Sequence, residues 1–567
     1  MGLYRWPGRG ARADTDAMAA ESESSPRFAD VVFTSGVVLT MNPDQPLAEA
    51  VAVRDGRIVA VGTGAEIEPL TDRSTRIVDL GGRCLMPGFV EPHGHVTEEA
   101  FVLGPAVDDI RPATIPAADD VVAAIKAAVA KRGGGGTCCY GWDPLLQKGL
   151  PTPNLAWLDS VAPDTPLVIM HNSGHLAFFN SAAATWLGLS KDTPDPAGAR
   201  FGRTADGSLD GAAYEARAVG ACLHPFMPKP GEWPAVLNAE YARLNKAGVT
   251  TCSDMAFDAK LRPALAASSP TVRVRMYEMS GPKMGSDITP DNGDDLVKQV
   301  GIKTWADGSP WVGNIATSFP YLTNDTTRAL GLEPNHRGRA NYTPEQLKAI
   351  GEAYFPAGWQ LACHAHGDEA VDMVLDVWGK LLAAYPRDDH RLRLDHVGTM
   401  RPDQFERAAA LGITATIFVD HLYYWGDVLV DDLFGPEHGA HYANAGSALK
   451  AGLRISFHND APVTPVEPLR NITEAVTRLS KSGRVLAPEE RITVDQALRA
   501  QTIDAAWQLF ADDITGSIEV GKYADFVVLD GDPRTVDPAR IADILVDATW
   551  LAGQCVYSRH APGETES

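Results

Sequence analysis

Eight short apolar runs recur through the centre of this 567-residue chain, and they restrict its fold more than any other feature. They are Cys84–His95, Val249–Asp254, Val272–Met279, Val300–Ala306, Trp359–His364, Leu392–His396, Ile413–Val419 and Leu453–His458. Segments with helical spacing lie between them, and strands alternating with helices mark a parallel α/β sheet. Eight such units predict a (β/α)8 TIM-type barrel. The first and second runs are separated by residues 96–248, far more than a normal βα crossover. Residues 101–243 are therefore expected to form an inserted subdomain. Its Gly133–Gly136 run reads as a loop, because no Gly-Lys-Ser/Thr follows to make a phosphate loop.

Both ends of the chain read as β-structure. Residues 30–34, 37–41, 50–54 and 57–61 are short β-branched runs, and residues 524–530 and 548–557 repeat the pattern. Neither end has enough strands to stand alone, so the two are expected to pair into one β-sandwich beside the barrel. The expected organisation is a disordered tail (1–26), the N-terminal part of the sandwich (27–85) and the first barrel strand (86–100). The insertion (101–243), the rest of the barrel (244–510), the C-terminal part of the sandwich (511–560) and a short tail (561–567) follow.

Composition removes several classes of function. The net charge of −23 repels phosphate backbones, so nucleic acid is not an expected partner. No apolar run approaches the roughly 18–20 residues of a membrane helix, and no apolar signal core opens the chain. The seven cysteines form no C-x-x-C pair, which fits a reducing compartment and a cytoplasmic protein. Monomer and homo-oligomer are both open.

The chemistry lies where the apolar runs stop. The first ends in Pro92-His93-Gly94-His95, and a period of two places both imidazoles on one face, where they can share a metal ion. Lys303 interrupts the fourth run, and a buried lysine is costly unless paired. His364 ends the fifth run, His396 the sixth, and Asp460 follows the eighth. The C-terminal rim of a TIM barrel is where active sites form. Taken singly, each residue is compatible with a structural role; taken together in this order, they point to a metal centre. Trp305 after Lys303, and His421 and Tyr424 after the seventh run, are candidates for a substrate-binding wall, although ordinary aromatic packing accounts for them equally well. His458, two residues before Asp460, reads as a support for the ligands.

This order of residues resembles the amidohydrolase superfamily, within it the amidohydrolase-3 group and its YtcJ-like and N-substituted formamide deformylase-like branch. The matching segments begin at Leu85, Gly174, Lys303, His364, Asp460 and Gly516, and the resemblance covers nearly all of residues 29–560. It departs at Glu91-Pro92, where Asp-Ser or Asp-Ala is usual, and at His366, a position usually apolar. The resemblance implies that His93 and His95 bind one metal, that His364 and His396 hold a second, and that carboxylated Lys303 bridges the two. Asp460 would bind the first metal and shuttle the proton, and His175 would lie over the centre against the substrate carbonyl or leaving group. The cofactor expected is a divalent metal, two zinc ions or else iron or manganese. The reaction expected is hydrolysis of a carbon–nitrogen bond in a small amide-like substrate.

Two other readings compete. A mononuclear deaminase of the same superfamily needs a glutamate shortly after the strand-five histidine, but Glu369 follows His364 by five residues and fits poorly. A non-catalytic metal- or ligand-binding barrel has the same fold, because fold does not fix function. The filled ligand positions count against it.

Overall fold

A computed structural model describes residues 28–132, 135–196, 199–280 and 289–560. The tails expected at 1–26 and 561–567, and the first two glycines of the 133–136 run, lie outside the described residues. Eight strands form one sheet in sequence order: β1 (Phe89–Glu91), β2 (Val249–Phe257), β3 (Arg273–Met279), β4 (Val297–Trp305), β5 (Gln360–Ala365), β6 (Arg393–His396), β7 (Thr414–Ile417) and β8 (Ile455–Phe457). Each is parallel to the next. Each of the eight expected runs supplies one strand, and the nearly closed parallel barrel is the expected fold.

The first run is shorter in the barrel than its apolar stretch implied. Cys84–Pro87 belongs to a flanking sheet, and the chain enters the barrel only at Phe89. The switch happens at Gly88, where a Cβ would meet the Thr250 side chain at 2.2 Å, so no larger residue fits. The seam between β1 and β8 is bridged by other means than a strand ladder. Both carboxylate oxygens of Glu91 accept from the Asn459 amide at 3.3 Å, and the His95 amide donates to the Ala461 carbonyl at 3.0 Å. Gln501 satisfies both backbone groups of Val90, its carbonyl accepting at 3.0 Å and its side chain donating at 2.9 Å. Glu91, a departure from the family pattern, thus ties the two strands that carry His93, His95 and Asp460.

The chain ends pack together as two sheets. One holds Arg57–Gly62, Ala50–Arg54, Val31–Thr34 and Arg76–Asp79. The other is mixed in origin: Phe526–Leu529 runs antiparallel to Cys84–Pro87, which is parallel to Val37–Leu39. Between the sheets Phe33 meets Phe526 and Trp550 edge-on, with ring centroids 5.3 and 4.9 Å away. A further six-stranded sheet, spanning Asp108–Asp109 to Leu209–Tyr214 in sequence, lies between β1 and β2. It reaches the barrel mouth. Arg111 donates to the Pro462 carbonyl at 3.1 Å, and Asn172 donates to that of Val463 at 3.2 Å. Among the described residues no helix is long and apolar enough to cross a membrane.

Because the C-terminal strands complete the sandwich, deleting residues 514–567 should expose Phe33, Val38 and Leu85 and leave the protein insoluble. The milder Phe33→Ala should cost about 3–5 kcal/mol in denaturant unfolding. A stable, soluble truncation would contradict the shared core.

Candidate metal centre and active site

Eight histidines gather at or beside the C-terminal ends of the barrel strands. His93 and His95 follow β1, His364 and His366 lie at the end of β5, His396 ends β6, His421 follows β7, His458 follows β8, and His175 comes from the insertion. Six of them form a continuous set of ring contacts, His95–His93–His458–His396–His366–His364, with centroids 4.5 to 5.4 Å apart. The His175 ring joins at 5.9 Å from His364. Imidazoles are not packed this way for apolar burial, because each carries two nitrogens that need partners.

The arrangement around Asp460 is one that could hold a metal ion. Asp460 Oδ1 lies 3.0 Å from His93 Nε2 and 3.2 Å from His95 Nε2, yet accepts no hydrogen bond. A tetrahedral ion with ligands about 2.0–2.1 Å away spaces them roughly 3.3 Å apart. The three atoms therefore already stand at the separations a zinc-like ion imposes. Burial alone would raise the Asp460 pKa, but His93 and His95 outweigh it and hold the carboxylate well below its usual range. His364, His366 and His396 form a second close group, their ligand atoms within 4.8 Å of one another. Burial, with the neighbouring rings, pushes all three pKa values well below the usual histidine range, so they are neutral and able to coordinate.

Two of these ligand candidates sit on unusual backbone. His396 has φ of 73° and Asp460 of 52°, in the left-handed region that side chains other than glycine seldom adopt. Such residues cost of order 1–3 kcal/mol each and cluster at functional sites.

A model of the amidohydrolase family matches residues 76–557. The chain belongs to the amidohydrolase family. It is 27% identical to the N-substituted formamide deformylase of Arthrobacter pascens, over 94% of this chain and 98% of that protein. It is 28% identical to Protein LONG AFTER FAR-RED 3 of Arabidopsis thaliana, over 93% and 92% respectively. It is 25% identical to the Bacillus subtilis (strain 168) protein YtcJ, over 93% and 99%. An uncharacterized metal-dependent hydrolase from Pyrococcus horikoshii shares its fold with a TM-score of 0.71 at 22% identity, over 90% of this chain and 99% of that one. This amidohydrolase is thus a metal-dependent hydrolytic enzyme, of the class that acts on carbon–nitrogen bonds.

Beneath the histidines the amidohydrolase buries a charge cluster centred on Asp395, which no sequence pattern singled out. Its Oδ2 pairs with the Lys303 ammonium and lies 3.2 Å from His93 Nδ1, and its Oδ1 accepts from Arg393 at 2.9 Å. Against burial, Arg393, Lys303 and His93 hold the Asp395 carboxyl well below its usual range. Burial lowers the Lys303 pKa. Asp307, four residues after Lys303, accepts from the amides of His366, Gly367 and Ala316 at 2.9, 2.7 and 3.1 Å and so fixes the turn after β5.

The remaining candidates divide. His175 is brought to the centre, and its Nδ1 contacts Glu215 at 2.9 Å, which also accepts from Asn314 at 3.0 Å. Burial would lower the His175 pKa, but Glu215 more than offsets this and the pKa is raised. Glu215 has φ of 67°, a third strained residue at the site. Trp305 is half-buried with its ring 5.8 Å from Lys303 Nζ. His421 is buried among Phe418, Trp311, Trp425 and Tyr442 and lies 5.5 Å from the His366 ring. Tyr424 packs on Tyr423 and Trp425, with no ring contact to the site histidines among the described residues. His458 Nε2 faces His396 Nδ1 at 3.0 Å and its Nδ1 faces Thr416 Oγ1 at 2.9 Å. His458 therefore orients His396 from behind.

Removing Asp395 leaves Lys303 and Arg393 buried without their shared anion. Asp395→Ala should destabilise the metal-free protein by about 3–5 kcal/mol in urea unfolding. An unchanged midpoint would show that the cluster is not a stabilising element.

Proposed function

We propose that this amidohydrolase hydrolyses the carbon–nitrogen bond of a small non-peptide amide, with N-substituted formamides the first class to test. The observation that carries the reading is the buried Asp460 oxygen set at ligand spacing from His93 and His95. In this reading His93, His95 and Asp460 hold one divalent ion, and His364 and His396 hold a second. Lys303, carboxylated on its amine, would add an anionic oxygen donor to this centre. A carbamate nitrogen keeps one hydrogen, so Lys303 in that form still has a donor for Asp395. Imidazole and carboxylate donors suit zinc, with iron and manganese as the alternatives. Bound there, the metal supplies Lewis acidity, lowering the pKa of water toward about 7 and polarising a carbonyl.

The protein groups supply the proton transfers and the orientation. Asp460, kept ionised by His93 and His95, accepts the proton of the attacking water and returns it to the leaving nitrogen. Loss of the amine needs that proton, because an amide anion is a poor leaving group. His175, held by Glu215, binds the substrate from the insertion side as a hydrogen-bond donor. Trp305 and His421 form the apolar wall of the site. The resemblance to an N-substituted formamide deformylase supports the choice of substrate class. The deaminase reading lacks its acid: Glu369 is exposed on the first turn of the Asp368–Ala384 helix. Seven free cysteines, six of them buried, support a reducing compartment, the cytoplasm.

The test is amine release from a panel of N-formyl and N-acyl amines. At least one should be turned over, and a chelator should abolish the reaction until metal is restored. Asp460→Asn should lower kcat by about 10²–10⁴. Turnover that survives the chelator and the Asp460 substitution would overturn the reading.

A further inference from the structure

His366 stands in the cluster at a position that is usually apolar in the family, and its surroundings are built for more than packing. It follows β5 two residues after His364, so the period of the strand puts both rings on one side. The ring stacks on His396 at 4.5 Å with planes 12° apart and meets His364 edge-on at 4.9 Å. Its backbone is fixed on both sides. The amide donates to Asp307 at 2.9 Å, and the carbonyl accepts from the Thr399 amide at 2.9 Å and from the Thr399 hydroxyl at 3.0 Å. The ring is fixed as well, because Nδ1 pairs with the buried Tyr442 hydroxyl at 2.9 Å. The other nitrogen, Nε2, has no hydrogen-bond partner among the described residues.

A histidine with one nitrogen anchored and the other free is the arrangement that metal sites use to aim a ligand. His364 repeats it. Its Nε2 faces the Gly308 carbonyl at 2.8 Å, which requires the proton there and leaves the Nδ1 lone pair free. His396 is oriented through Nδ1 by the His458–Thr416 chain. The three side chains offer ligand atoms within 4.8 Å of one another, a spacing that small ring rotations close. A histidine kept for packing alone would have no reason for three separate hydrogen-bonded restraints beside two other imidazoles.

We propose that His366 is a third imidazole ligand of the second metal ion, so that His364, His366 and His396 form a three-histidine site beside the one at His93, His95 and Asp460. The inference rests on the binuclear reading above and changes its ligand set. Three neutral imidazoles can hold a divalent ion without an anionic bridge, which makes occupancy of this site independent of the state of Lys303. Tyr442, accepting from Nδ1–H, is then the positioning residue for His366.

The test is metal analysis of zinc-loaded holoenzyme and of His366→Ala, with an anomalous difference map of wild-type crystals at the zinc edge. Wild type should hold two ions per chain, one of them about 2.0–2.1 Å from a His366 nitrogen. His366→Ala should fall to one ion while keeping the one at His93, His95 and Asp460. Tyr442→Phe should keep both ions but bind the second about tenfold more weakly, within the 10–100-fold range of such supporting partners. Two ions retained in His366→Ala overturn the proposal and leave the binuclear reading intact. If His366→Ala does not fold, the map decides alone: a second ion away from His366 overturns the proposal. A wild type with a single ion overturns the three-histidine site but not the metal-dependent hydrolysis. A wild type with none overturns both.

Discussion

The buried carboxylate of Asp395 is the contact on which the active-site region depends. Lys303, Arg393 and His93 all face it. In the metal-free protein two cations and an imidazole cannot be buried side by side without it, since an unpaired charge in the interior costs several kcal/mol. Its Oδ2 lies 3.2 Å from His93 Nδ1, while His93 Nε2 is directed at Asp460. The polar mouth of the barrel therefore stands on an ionic floor, while hydrophobic packing acts outside it. The His93–Asp460 pair also joins the first barrel strand to the last, at the seam bridged by Glu91 and Asn459.

Much of this was legible in the sequence, for a physical reason. A barrel strand must be apolar on its outer face, so a histidine, lysine or aspartate at its end stands out against the run. That contrast marks His93, His95, Lys303, His364, His396 and Asp460. The eight strands were readable for the same reason, except that Cys84–His95 hid a change of sheet at Gly88, because both sheets bury apolar residues. What was not legible is pairing across distance. Asp395 lies in a strand beside His396 and looks like one more rim residue, and only the topology sets it against Lys303, 92 positions away. Glu215 meets His175 across 40 positions of the insertion, and its strained backbone leaves no mark in a one-dimensional pattern. The departures at Glu91 and His366 were visible as departures, and the structure gives them work: one bridges the seam, and the other joins the second histidine group.

The insertion and the barrel divide the chemistry between them. The barrel strands and the loops that follow them carry the residues at ligand spacing. The insertion contributes His175, and it is held to the loop after Asp460 by Arg111 and Asn172. The insertion that carries His175 is thus tied to the loop that follows Asp460. Strain at His396, Asp460 and Glu215 falls on both sides of this contact. It is the kind of cost that persists only where surrounding structure over-determines the geometry.

Turnover is proposed to depend on an ion held by His93, His95 and Asp460. Stepwise zinc reconstitution of the metal-free wild type and of the His93→Ala/His95→Ala variant, with bound metal and amine release measured on the same samples, tests it most directly. The account predicts that wild-type activity rises with bound zinc. The double variant should bind one ion fewer per chain and remain inactive at saturating metal. Full activity in that variant would contradict the claim.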